Sequence, residues 1–358
     1  MYGLRDHLKP MPLTGLRALL QGSSRYSIRM SSTGSIEQTF VQLEDGIQRL
    51  TLPLPTGPKH VHSYVAHGTL FDTGLGLGDA PWEAVDVERI AITHFHPDHV
   101  GGAEAAARAT GASVSQGGLD YAQCERVWGS DDWPERIAAW FVRHGVPVNV
   151  TEDLIAQGHA FASFIRYAID PDLLYEGSEV GGWKVLELPG HADGHLGFLR
   201  DGVLIGGDHL LRRITPAVGL YPESRPDPLG DYLASLERTI ELAPRIVYPG
   251  HGEPIHDAAT RARELIEHHR ARLDEHTAAL STEPHTAYEI SLHVFGRELA
   301  PTQRRFAVAE TLSHLERLVL EGRAARSGDA EAPTGRRRKE DYRASPGSPS
   351  RRVFYTSP

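Results

Sequence analysis

Thr93-His94-Phe95-His96-Pro97-Asp98-His99-Val100-Gly101-Gly102 places four potential metal ligands within six residues. The stretch follows a short apolar run, Arg89–Thr93, that reads as a strand, and it leads into an alanine-rich helix ending near Thr110 and closed by Gly111. In extended backbone, positions two apart face the same way, so His94 and His96 can grip one ion together. Pro97 forces a turn, after which Asp98 and His99 point to a second position. The glycine pair that follows is expected to leave room for the loop to close over the metals.

Three further stretches end strands on a metal-binding side chain. They are Leu188-Pro189-Gly190-His191, Leu204-Ile205-Gly206-Gly207-Asp208 and Val247-Tyr248-Pro249-Gly250-His251-Gly252. Each alone reads equally well as a structural turn, but together with the first cluster they complete a set of five His and two Asp. Around them, strands are expected at Ile47–Leu52, Val61–Ala66, Thr69–Asp72, Trp183–Leu188, Gly197–Arg200, Val203–Gly206 and Arg245–Tyr248, and a helix at Pro228–Leu242. Strands and helices interleave, and the strand ends repeatedly deliver His or Asp, which is α/β organisation with a site at the strand termini.

The 358 residues are 40% hydrophobic and 23% charged, enough for two domains with a real core. No run of about 18 apolar residues occurs, so no membrane-spanning helix is expected. One cysteine, Cys124, excludes an internal disulfide framework and any site built on several thiolates, and it fits a reducing, cytoplasmic setting. Metal must therefore be held by carboxylates and by some of the 20 histidines. The net charge of −10 conceals an asymmetry. Residues 36–257 carry 15 Lys/Arg against 32 Asp/Glu, a net of −17, whereas residues 1–35 carry +4 and residues 258–345 are balanced at +1. Residues 1–35, rich in Arg and Ser, read as a disordered extension with the composition of a transit peptide, and Met30 is an alternative start. Residues 36–257 read as the catalytic domain, with a helical insertion at 118–170. Residues 258–345 read as a winged-helix-like module: helices at 258–280, 287–294 and 302–321, then extended pieces near 322–327 and at Tyr342-Arg-Ala. Residues 346–358 read as a disordered tail.

The order of these motifs, with Asp72-Thr73-Gly74 upstream, resembles the metallo-β-lactamase-fold hydrolase superfamily across roughly residues 45–257. The resemblance implies an αββα sandwich with two divalent ions at one edge. Carried over residue by residue, His94, His96 and His191 would bind the first ion, Asp98, His99 and His251 the second, and Asp208 would bridge them. A thiolate ligand has no counterpart here, and with the single bridging carboxylate this looks like the glyoxalase II-like branch. The C-terminal part resembles the winged helix of β-lactamase-like proteins, some of which cleave RNA.

The resemblance implies hydrolysis by a hydroxide shared between the two ions, with Asp98 orienting it and Asp72 fixing the site from behind a ligating His. The implied ions are Zn by default, with Fe or Mn equally compatible with five His and two Asp. A small carbonyl substrate is favoured, a thioester or activated ester ahead of a lactone, and a metal-dependent endoribonuclease is the competing reading. The −17 segment opposes nucleic acid. Arg336-Arg337-Arg338-Lys339 is the one basic run that could favour it. His195, His209 and Tyr221 are candidate substrate contacts, with a hydrogen-bonded supporting or structural role the favoured reading of the two histidines. Trp128, Trp133, Trp140 and Phe141 in the insertion would either wall an apolar substrate pocket or pack against the core or a partner in a homodimer.

Overall fold

Short apolar runs separated by tight turns build the first sheet. Val41–Gln42 (β1), Gln48–Pro53 (β2), His60–Ala66 (β3) and Thr69–Phe71 (β4) form an antiparallel meander. Arg89–Ile92 (β5), Ser113–Gly117 (β6) and Asp172–Leu174 (β7) continue it in parallel, giving seven strands in chain order. The second sheet has five: Glu179–Val180 (β8), Trp183–Glu187 (β9), Leu196–Arg200 (β10), Val203–Gly207 (β11) and Ile246–Pro249 (β12). Within it only β11 and β12 run parallel. This computed structural model describes residues 40–55, 58–76, 82–328 and 352–358.

The sheets pack face to face. Tyr64, Phe71 and Ala91 of the first meet Trp183, Phe198, Ile205 and Tyr248 of the second, and the Phe71 ring lies 5.0 Å from Phe198 and 5.1 Å from Trp183. Helices cover both outer faces. Pro97–Val100 (α1) and Ala103–Thr110 (α2) lay Val100, Ala103 and Ala106 on Ile90 and Val114. Pro228–Leu242 (α6) and Ala258–Ala279 (α7) lay Leu229, Leu236, Ala262 and Leu265 on Leu186, Leu204 and Val247. Both of these helices start sharply: Asp227 accepts the Gly230 N–H and Asp257 the Thr260 N–H, each at 2.9 Å. The layers are helix, sheet, sheet, helix, the αββα sandwich.

The insertion forms Gly118–Val127 (α3), Trp133–Arg143 (α4) and Val148–Ala162 (α5). Its aromatic residues divide. Phe141 is fully buried in the core, Trp133 and Trp140 pack against that core, and Trp128 donates its indole N–H to the Phe95 carbonyl at 2.8 Å beside the histidine cluster. Cys124 on α3 is buried, and burial pushes its thiol up to about 12, so it behaves as a small apolar residue.

The C-terminal part adds Ala287–Val294 (α8), Pro301–Leu320 (α9), Ala325–Gly328 (β13) and Val353–Thr356 (β14). Thr286 and Glu289 cap α8 reciprocally. One expectation is corrected here. β13 pairs with β14 in antiparallel register from Ala325↔Thr356 to Gly328↔Val353. β14 lies within the stretch 346–358, where a disordered tail was expected, and Tyr355 is completely buried. The cause is a tyrosine seat under α9: its hydroxyl donates to Glu316 Oε1 at 2.8 Å, and its backbone exchanges two bonds with His285. Tyr342, residues 1–35 and Arg336–Lys339 lie outside the described residues. Among the described residues no helix is long and apolar enough to cross a membrane.

Candidate metal centre

Every motif residue sits just past the C-terminal end of a strand, and all these ends lie along one edge of the sandwich: Asp72 after β4, His94 to His99 after β5, His191 after β9, Asp208 after β11 and His251 after β12. Three overlapping donor groups result, with ligand atoms within 4.8 Å of one another: His94/His96/His191, His94/His99/Asp208 and Asp98/His99/His251.

In the first group, His96 Nδ1 lies 3.1 Å from His94 Nε2 and 2.9 Å from His191 Nε2. The far nitrogens fix the tautomers. His191 Nδ1 faces the Ala217 carbonyl at 2.7 Å and so carries the proton. His94 Nδ1 faces Thr93 Oγ1 at 2.9 Å, and that hydroxyl is itself committed as a donor to Asp72 Oδ2 at 2.8 Å, so His94 Nδ1 donates. His94 and His191 thus both turn an unprotonated Nε2 toward His96 Nδ1. Burial holds both rings below their ordinary pKa, and neighbouring imidazoles add to this, most strongly at His94. Three neutral imidazoles whose nitrogens converge this closely are a donor group that a divalent cation fits.

The second group is built the same way. His251 Nδ1 donates to the His60 carbonyl at 2.6 Å, leaving Nε2 3.3 Å from Asp98 Oδ2 and 3.2 Å from Asp208 Oδ2. His99 Nδ1 donates to Asp72 Oδ2 at 2.7 Å, leaving Nε2 3.5 Å from Asp208 Oδ1. That Nε2 and that Oδ1 are buried without a hydrogen-bond partner. Lone pairs facing carboxylates must either gain a proton or share a cation. Burial opposes charge on His251, but Asp208 and Asp98 outweigh it and raise the ring to about 10. His99 is raised well above its ordinary value by the same contest, with Asp208, Asp72 and Asp98 opposing burial. Asp208 touches both groups, lying 3.6 Å from His191 Nε2 through Oδ2. The donor set fits divalent ions, with Asp208 between the two positions.

Sequence reasoning named these seven side chains, and the fold brings all seven together. Asp72 lies behind His99, 3% exposed, and accepts the Thr93 N–H, the Thr93 hydroxyl and the His99 N–H. His195 is wholly buried against His94, and its Nε2 accepts the Asp208 N–H at 3.1 Å, a supporting contact behind the bridging residue. His209 is wholly buried, with Nε2 2.7 Å from Thr239 Oγ1 on α6, in the tight turn closed by its N–H to the Gly206 carbonyl. The glycine pair after His99 serves the Asp72 turn and not a closure over metal: a Cβ on Gly102 would lie 2.4 Å from the Thr73 carbonyl oxygen. Tyr221 stays half-buried beside Arg305 of α9, whose guanidinium lies 5.9 Å from the ring centroid.

Sequence reasoning missed the scaffold behind the ligands. Tyr64 Oη donates to the Pro249 carbonyl at 2.6 Å, the His62 N–H to the Gly250 carbonyl at 2.7 Å, and His62 Nε2 lies 3.0 Å from the Gly252 carbonyl. Strand β3 thereby grips the His251 loop along its length. The signal available was the alternation His60-Val61-His62-Ser63-Tyr64, polar where a half-buried strand should be apolar.

The chain belongs to the metallo-β-lactamase superfamily. Residues 56–251 match the family described as metallo-beta-lactamase superfamily, and residues 273–334 match the metallo-beta-lactamase-like C-terminal domain. A metallo-beta-lactamase family protein of Thermus thermophilus is similar in structure, with a TM-score of 0.70 at 34% identity over 87% of this chain and 99% of that one. The Bacillus subtilis (strain 168) protein named "Probable metallo-hydrolase YqjP" is 29% identical over 303 residues, 76% of this chain and 92% of its own. A hydroxyacylglutathione hydrolase of Methylobacillus flagellatus is 28% identical over 225 residues, 62% of this chain and 71% of its own.

Proposed function

We propose that this protein is a dinuclear metal-dependent hydrolase of a small carbonyl substrate, a thioester or an activated ester or lactone. One observation carries the reading. Asp208 stands 3.6 Å from His191 Nε2 and 3.2 Å from His251 Nε2, so a single carboxylate joins two converging His/Asp donor groups. His94, His96 and His191 would hold one ion, Asp98, His99 and His251 the other, and Asp208 both; Zn is the default, with Fe and Mn compatible. When bound, such ions supply a water acidified toward neutrality and Lewis-acid polarisation of a carbonyl.

The chain's own residues do the rest. The Asp98 side chain is 23% exposed while those of His99, Asp208, His191 and His251 are all below 10%, and His96 is also partly exposed, so the centre opens where Asp98 and His96 lie and substrate arrives there. The Asp98 carboxylate can accept a hydrogen bond from the attacking water and aim it at the carbonyl carbon. Asp72 holds His99 in register through Nδ1, and His195 holds Asp208 through its backbone N–H. The likeness to a hydroxyacylglutathione hydrolase supports a thioester, and the acidic catalytic segment supports a substrate without phosphate charges.

The test is a panel of acyl-thioesters, lactones and single-stranded RNA assayed with and without chelator. The expected result is chelator-sensitive turnover of a thioester or lactone. RNA cleavage without turnover of either would replace the reading with a metal-dependent endoribonuclease.

A further inference from the structure

Asp120, in the first turn of α3, is wholly buried. Its Oδ2 accepts the Phe95 N–H at 2.9 Å and its Oδ1 the Gly194 N–H at 2.7 Å. Phe95 stands between His94 and His96, and Gly194 lies in the loop that begins at His191. One side chain therefore joins the two segments that carry the His94/His96/His191 group. The loop is shaped for it: a Cβ on Gly194 would lie 2.7 Å from the Asp120 nitrogen and 2.8 Å from Oδ1. One turn along the same helix, the Gln123 amide donates to Asp193 Oδ2 at 3.1 Å and to the Glu223 carbonyl at 3.0 Å, gripping the same loop from its other side.

Burial pushes the Asp120 carboxyl up to about 7 against the pull of its two N–H bonds, and those bonds give each oxygen a partner. Two N–H groups converge here from different loops, and a carboxylate is the short side chain that offers an acceptor to each. Asparagine keeps the size but turns its amide N–H toward one of the two donors. The rest of the junction stays tied without Asp120, since Leu196 N–H donates to the Thr93 carbonyl at 2.8 Å.

We propose that Asp120 is a positioning residue that sets the distance between the His94–His96 segment and the His191 loop, and with it the affinity of one metal position and not the other. This rests on the metal-dependent reading above. The test uses the full chain, stripped with chelator and titrated with Zn²⁺ against a chromophoric competitor, as wild type, Asp120→Asn and His191→Ala. In Asp120→Asn, the binding step that His191→Ala removes weakens by about 10- to 100-fold and the other step is unchanged. In the metal-free protein, amide exchange accelerates in residues 94–96 and 192–195 of Asp120→Asn ahead of the rest of the chain. If Asp120→Asn does not fold, Gly194→Ala strikes the same contact from the opposite side and must weaken the same step. Two unchanged steps in a folded variant, or both steps weakened alike, overturn the proposal. A wild-type chain that takes up no ion overturns the metal reading and this assignment with it.

Discussion

Asp72 stands directly behind His99, its Oδ2 2.7 Å from His99 Nδ1, while its other contacts, the Thr93 amide and hydroxyl, lock it in place at 2.8 Å each. It holds this pose with a positive φ of 57°, an uncommon conformation that the three bonds sustain. The carboxylate fixes the His99 tautomer and never faces the opening. Asp72→Asn should therefore leave the fold intact and lower affinity at the Asp98/His99/His251 position by roughly 10- to 100-fold. Metal competition and circular dichroism check this; unchanged affinity would show that Asp72 is a turn residue only.

Removing a donor should be more severe than removing its support. Asp208→Ala takes away the group shared by both positions, and His96→Ala the nitrogen on which His94 and His191 converge. Both variants should fold and lose hydrolysis altogether, with uptake below two ions per chain. Retained turnover in either would contradict the ligand assignment.

The reach of the sequence ended where contacts became long-range. The cluster at residues 94–99 was legible because its ligands are local, and His191, Asp208 and His251 because each ends an apolar run behind glycine. Asp120 was invisible, since an isolated acid in the first turn of a helix ordinarily reads as solvated. Strand β6, Ser113-Val-Ser-Gln-Gly, was missed because only one of its five side chains is apolar. Val353–Thr356 was lost behind a Pro/Ser/Arg-rich stretch whose composition signals disorder. His195 and His209 stand near ligands in sequence, and their rings are fully enclosed.

The C-terminal tyrosine gives a stability prediction. Tyr355 fills a wholly buried position, so Tyr355→Ala should cost about 3–5 kcal/mol. Tyr355→Phe, which loses only the bond to Glu316, should cost about 1.5–3 kcal/mol. Urea unfolding checks both. A loss below 1 kcal/mol for Tyr355→Ala (about the mean for an ordinary substitution) would mean that β14 contributes little.

A second buried cluster makes stability sensitive to acid. His269 and His276 on α7 and His314 on α9 are all fully enclosed; the His276 and His314 rings stack at 4.7 Å, and His269 Nδ1 lies 3.3 Å from His314 Nε2. Arg272, His268, Tyr232, Thr311 and Glu310 are their polar neighbours. Burial pushes His269 down to about 3 and His276 to about 4, and burial followed by its two histidine neighbours holds His314 well below its ordinary value. Above pH 6.5 these rings are neutral in both states. Below it the unfolded chain takes up protons that the folded chain refuses, so stability falls as pH drops from about 6.5 to about 4, by up to about 1.4 kcal/mol per unit for each ring. In chelated protein, His276→Gln should flatten that slope; an unchanged slope would place the acid sensitivity elsewhere.

The most direct measurement is the hydrolysis rate of an acyl-thioester or lactone by chelator-stripped protein as divalent metal is returned in known amounts. The rate should start at zero and reach its plateau close to two ions per chain. Turnover without metal, or a plateau at less than one ion per chain, would contradict the dinuclear account.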